Sequence, residues 1–186
     1  MYHMGLVKAD AIPAEFTLPK APLLILVDDD WDLVHPRTAN DALVDALAKE
    51  LKARGLIDRV TTNEELARLR QSEPNFERRG AREVGRLAKA DTVLWLKVVR
   101  FTLEDDLEMA VSYAHFAVIV KVLDARADER DAVRLWPKGR EGKLVEAKVS
   151  PHDIRNCKSI REAHTVVAGR LASEIAKLFY EHQEEQ

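Results

Sequence analysis

The first sustained apolar run, Leu23-Leu24-Ile25-Leu26-Val27 behind Pro22, shows no alternation and ends in Asp28-Asp29-Asp30. A strand covered on both faces reads this way. Past a polar connection holding Pro36, either Thr38 or Asn40 is placed to cap a helix. Its apolar residues Leu43, Val44, Leu47, Ala48 and Leu51 recur at helical spacing, and Gly55 supplies a left-handed stop. Leu56, Ile57 and Val60 predict a brief second strand, and Thr62-Asn63-Glu64-Glu65 is a capping box that opens another helix. A third helix is expected to open at Asn75, with Phe76, Gly80, Val84 and Leu87 on one face and Arg78, Arg79, Arg82 and Arg86 on the other.

From Asp91 onward the period changes. Thr92 to Leu103 is rich in Val, Leu, Trp and Phe, apolar on both faces at first and then polar on one, as in a long strand leaving the covered middle of a sheet. Glu104-Asp105-Asp106 is expected to interrupt it, and Ala114 to Leu123 to form a second long strand. No helix fits between the two, so they should pair antiparallel. Val133 to Trp136, closed by Pro137, and Leu144 to Val149, entered through a turn at Gly139 to Gly142, complete a meander of about four strands. Ser159-Ile160-Arg161-Glu162 then caps a long helix whose stripe is Ile160, Ala163, Val167, Leu171, Ile175 and Leu178.

The order β-α-β-α-α-β-β-β-β-α specifies an α/β (mixed α+β) fold: one mixed sheet of about five to six strands, containing an antiparallel meander, flanked by helices and closed by a long C-terminal helix. The expected organisation is an extended lead-in or tether at 1–20, where Pro13 and Pro19 interrupt any period, a single domain at 21–180, and a frayed polar tail at 181–186. The 186 residues, 46% hydrophobic and 33% charged, fall in the ordinary globular range, and such a length suffices for one core without covalent staples. A net charge of −3 disfavours nucleic acid as a partner, since phosphate binding rests on gathered Lys and Arg.

Candidate chemistry is sparse. Asp28, Asp29 and Asp30 at a strand end resemble the opening of a response-regulator receiver, where paired carboxylates hold Mg²⁺. The continuation into antiparallel strands without a phosphoacceptor Asp removes that reading and leaves the three as candidate divalent-cation ligands or as solvated carboxylates near helix N-termini. Trp31 beside them is a candidate partner anchor or a cap over the core, and the four arginines are a candidate partner-binding strip or a paired solvent face. His164 on the closing helix and the single cysteine, Cys157, have no catalytic partner at a fixed offset and read as packed residues. Neither a G-x-G-x-x-G nor a G-x-x-x-x-G-K-S/T loop occurs, and no cofactor is expected.

Four stretches carry a family resemblance: the strand from Pro22 to Val27, the helix-to-strand segment Gly80 to Trp95, the strand Val118 to Ala125, and the closing helix ending Ala176-Lys177-Leu178-Phe179-Tyr180. In these the chain resembles the α/β domain of TolB N-terminal regions, the curli-secretion lipoprotein and the LpoB-like lipoprotein activators of penicillin-binding proteins. The resemblance implies a periplasmic or outer-membrane-associated protein that binds other envelope proteins, is non-enzymatic, touches the membrane only through a lipid anchor, and leaves room for a homo-oligomer. The alternatives are a divalent-metal-dependent enzyme or regulator using Asp28, Asp29 and Asp30, and a cytoplasmic ligand-sensing domain.

Overall fold

The computed structural model describes residues 11–106, 111–128 and 133–183. Its elements in chain order are β1 (Ala11–Ile12), β2 (Leu23–Asp28), α1 (Thr38–Ala53), α2 (Asn63–Ser72), a 3-10 turn (Phe76–Arg78), α3 (Ala81–Leu87), β3 (Thr92–Asp106), β4 (Val111–Asp124), β5 (Arg134–Trp136), β6 (Lys143–Val149), α4 (Pro151–Arg155), α5 (Ile160–Lys177) and β7 (His182–Gln183). β2, β3 and β4 lie side by side in the mixed five-stranded sheet, β2 parallel to β3 and β3 antiparallel to β4. β5 and β6 both pair with β4, at successive stretches of the same strand. The expected meander is therefore folded back on itself: β6 skips β5 and returns to β4, with Leu144 opposite Ile119 and Val149 opposite Ala114.

Strand alternation sorts the side chains onto two faces. Leu94, Leu96 and Val98 of β3, Phe116 to Val122 at alternate positions of β4, and Val145, Ala147 and Val149 of β6 form the first face. It lies beneath Leu43, Leu47 and Leu51 of α1 and Val167, Leu171 and Ile175 of α5. Each such large side chain, taken fully out of water, contributes about 1.5–3 kcal/mol, so the long C-terminal helix is held chiefly by this stripe. Glu50 ties the two helices polarly: its carboxylate accepts from Ser173 Oγ at 3.0 Å and Tyr180 Oη at 3.3 Å. The second face carries a smaller core in which Leu24, Leu26 and Val93 meet Leu66, Phe76 and Val84 from α2, the 3-10 turn and α3.

Several local expectations are corrected. Leu56, Ile57 and Val60 form no strand; one parallel bridge, Leu23 to Val60, is all that forms before the chain turns into the Thr62 cap. Asn75 sits in the left-handed region (φ 57°) and opens only the 3-10 turn, so the expected third helix is split at Gly80, whose extended backbone starts α3. β3 runs on through Glu104–Asp106 with its ladder to β4 unbroken, because backbone pairing continues whatever charge the side chains carry. Neither Thr38 nor Asn40 caps α1; Arg37 occupies that position without a side-chain cap, and the Thr38 hydroxyl is engaged elsewhere. Ile160, placed on the apolar stripe of α5, is 69% exposed, and the buried stripe starts at Ala163 and His164.

Where fraying was expected at the tail, His182–Gln183 pairs antiparallel with Ala11–Ile12. Within the described part of the lead-in, the amides of Glu15 and Phe16 donate to Leu178 O, and Leu18 is buried in the first-face core. Residues 1–10 and 184–186 lie outside the described residues, as does the 129–132 part of the connection after β4.

Candidate functional site

The carboxyl end of β2 opens into a cleft of about 570 Å³, lined by Asp28, Asp29 and Asp30, by Arg37, Asn40 and Asp41 of the α1 start, by Asn63 and Arg70 of α2, and by Phe76, Glu77, Arg79 and Trp95. Crevices outside the carboxyl ends of strands are where open α/β sheets bind ligands, and this volume is that of an organic group rather than a bare ion.

Asp28 and Asp30 are hydrogen-bonded to each other, and each aspartate has further partners of its own. Asp28 accepts from the Trp95 indole at 3.0 Å. Asp29 is spent on the chain itself, accepting from the amides of Leu33 at 2.9 Å and Val34 at 3.0 Å, and from Asn40 Nδ2 at 3.4 Å. Asp30 meets Lys97 Nζ at 3.2 Å. Partial burial and the hydrogen bond and charge of Asp30 push the Asp28 carboxyl above the usual carboxylate range, while the bonds to Asp28 and Lys97 hold Asp30 below it. Among the described residues no group of three or more His, Cys, Asp or Glu side chains is arranged to hold a metal ion.

Sequence reasoning missed Asn40, which is only 8% exposed. Its Oδ1 is buried and has no hydrogen-bond partner. The register of β2 against β3, Leu26 opposite Trp95 and Asp28 opposite Lys97, is the signal that could have brought Trp95 and Lys97 to the aspartates.

Trp31 stands 75% exposed in the loop behind Asp30 and is no part of the core. The four arginines lie on two elements, the 3-10 turn with its exit and α3, and make separate contacts. Arg79 spans Glu73 and Glu83, each at 3.4 Å, and lies on the cleft wall. Arg82 donates to Ala127 O at 2.8 Å, and Arg86 to Ala125 O at 2.6 Å and Asp128 Oδ1 at 2.9 Å, so both clamp the turn that leaves β4. Arg78 is exposed on the 3-10 turn. His164 is a core side chain, 2% exposed; its Nδ1 meets Thr38 Oγ1 at 2.5 Å, its ring stands edge-on to Phe101, and burial pushes its pKa down. Cys157 lies near the surface with its Sγ 3.4 Å from Asp153 O; burial, then Glu162 and Asp153, push its thiol up, which reduces the thiolate fraction.

The second sheet face is the other feature of note. Its apolar core ends at Trp95 and Leu123. Beyond them Val99 is exposed at a β-bulge and Leu144 is 57% exposed. Around these stand Lys97, Arg100, Lys121, Arg134 and Lys148; among the described residues the acids beside them are Asp30, 3.2 Å from Lys97, and Glu146, which is bonded to His115 at 3.0 Å and lies 3.5 Å from Lys148. Lys121 lies 5.0 Å over the Trp95 ring, and burial with the charges of Arg134 and Lys97 pushes its pKa down.

No protein-family model and no curated protein matches the chain. Solved structures do. Lipoprotein GNA1162 from Neisseria meningitidis is similar at 13% identity over 84% of this chain and 99% of its own, with a TM-score of 0.51. The hypothetical protein CT253 from Chlamydia trachomatis matches at 15% identity over 85% and 94%, with a TM-score of 0.47. A dodecamer of PelC from Paraburkholderia phytofirmans matches at 12% identity over 96% and 99%, with a TM-score of 0.48. The likeness to GNA1162 shows a shared fold. Among the described residues no helix is long and apolar enough to cross a membrane.

Proposed function

We propose that the chain is a non-enzymatic protein-binding module of the bacterial cell envelope, the soluble part of a lipoprotein on the periplasmic side, and that it docks an acidic protein surface on the bare half of its second sheet face. The observation that carries this reading is the face itself. Val99 and Leu144 are left outside the core, and among the described residues their surround holds five basic side chains and two acidic ones, Asp30 and Glu146. Apolar centres rimmed by charge of one sign favour a partner of the opposite sign, which gains apolar burial and electrostatic steering together. The envelope assignment is supported by the fold shared with a lipoprotein, in keeping with the family that the sequence resembles.

The test uses the full chain, immobilised and exposed to an envelope extract, with captured protein identified by mass spectrometry. Leu144→Asp combined with Lys148→Glu changes two outward-facing side chains of β6 and should abolish capture while leaving the melting temperature within a degree or so, as surface changes away from special features do. Capture that survives both changes would place the docking site elsewhere.

A further inference from the structure

The cleft at the carboxyl end of β2 carries a property that the docking face does not use. Most charges on its walls are matched: Arg79 by Glu73 and Glu83, Arg70 by Glu77 at 3.6 Å, and Asp30 by Lys97. What remains is Asp28, Asp29, Asp32 and Asp41 against Arg37. Counting the N-terminal end of α1 as about half a positive charge, an excess of negative charge is still left.

The walls also carry unmet hydrogen-bonding groups. Asn40 is more than nine-tenths buried on the cleft wall, its Nδ2 is held by Asp29, and its Oδ1 accepts nothing. Among the described residues the Asp41 carboxylate makes no hydrogen bond or ion pair, while its backbone oxygen accepts from Asn63. A buried acceptor without a donor is unfavourable, so a donor entering here relieves it. Two donors on the same walls, Arg70 Nε and Arg79 Nε, are also buried without a hydrogen-bond partner, but their guanidiniums are already ion-paired with Glu77, Glu73 and Glu83; the unmet acceptors, Asn40 Oδ1 and the Asp41 carboxylate, call for N–H donors and positive charge.

We propose that this cleft binds a protonated nitrogen group, an ammonium or guanidinium, which donates to Asn40 Oδ1 and the Asp41 carboxylate. Its two sources are a free polyamine and a Lys or Arg side chain of a protein segment. The site is distinct from the docking face, so the two proposals stand or fall separately. An ammonium or guanidinium supplies several N–H donors and needs no octahedral oxygen shell such as Mg²⁺ requires.

Isothermal titration of the full chain at fixed ionic strength, with spermidine, with an acetylated Gly-Lys-Gly-Lys-Gly amide and with MgCl₂, tests this. Saturable binding of spermidine or of the peptide is expected, and which of them binds identifies the source. Asp41→Asn, an exposed and near-isosteric change, and Asn40→Ala should each weaken it by about tenfold, as loss of one charge-assisted hydrogen bond does. Absence of saturable binding by both amines, unchanged affinity in both variants, or displacement of the amine by Mg²⁺ at equal concentration would each overturn the proposal.

Discussion

Gly85 lies on the face of α3 that rests on the second sheet face, and a Cβ built there would stand 2.5 Å from Val93 Cγ2 and 3.0 Å from Ala125 Cβ. Both neighbours are fully buried, one β-branched and one attached directly to the backbone, so neither can step aside by a rotamer change. Gly85→Ala should therefore push α3 off the sheet. Overpacking of this kind costs about 1–3 kcal/mol, offset by about 1 kcal/mol from the better helix propensity of alanine. The net expectation is a loss of about 1 kcal/mol. With a urea slope of roughly 2 kcal/mol/M, the unfolding midpoint should fall by about 0.5 M with the slope unchanged. Pairing it with Val93→Ala supplies the internal control: removing the opposing methyls should make the double variant more stable than the sum of the singles by at least about 0.5 kcal/mol. A midpoint equal to or above the parent's, or strict additivity, would refute the claim that α3 is seated by close contact at Gly85.

Three further outcomes follow from the same geometry. His164 is held neutral by burial, its folded pKa lying below the 6.5 of the free side chain. The unfolded chain then takes up the proton first, so its contribution to stability is intact above pH 6.5, declines as pH falls below it, and levels once the folded form is also protonated. Melting temperatures between pH 7.5 and 5 should show this slope, and His164→Leu should flatten it; an unaltered slope assigns the acid sensitivity to other groups. Arg86→Ala removes the donors to the turn after β4 and should lower stability by about 1–2 kcal/mol in urea unfolding, whereas Arg78→Ala, on the exposed 3-10 turn, should stay within about 0.5 kcal/mol; equal effects would show that the clamp is idle. Trp31→Ala should leave the melting temperature nearly unchanged, its side chain being 75% exposed, while weakening capture of the envelope partner; a large drop in melting temperature would make Trp31 a core residue.

What the sequence could reveal was set by how locally each feature is determined. The Thr62 and Glu65 capping box is complete within four residues and forms as read, with Glu65 N donating to Thr62 Oγ1 and Thr62 N to Glu65 Oε2. The Gly55 stop is equally local: its φ is 66° and Leu56 N closes onto Leu51 O. The Ser159 cap forms only by half as read, since Glu162 reaches back to Lys158 N instead of Ser159 N.

Pairing choices needed the whole fold. Nothing in Lys143 to Val149 says that it joins β4 in place of β5, because its alternation fits either neighbour equally. The cleft was half legible for the same reason. Asp28, Asp29 and Asp30 announce themselves as charges ending an apolar strand, but their partners come from β3 and from the loop and helix that follow, so only a register could have named Trp95, Lys97 and Asn40. The single helix face expected for Arg78, Arg79, Arg82 and Arg86 is not there because helical spacing was projected across Gly80, where the helix is broken.

Photo-crosslinking in living cells reads out docking on the outer half of the second sheet face at the residues themselves. A benzoylphenylalanine placed at Leu144 should give one discrete crosslink to an envelope protein, lost when Lys121→Glu and Lys148→Glu are added, with no such product from the same probe at Arg161, exposed at the start of α5. Crosslinks of equal yield from both positions, or a product indifferent to the charge reversals, would contradict the account.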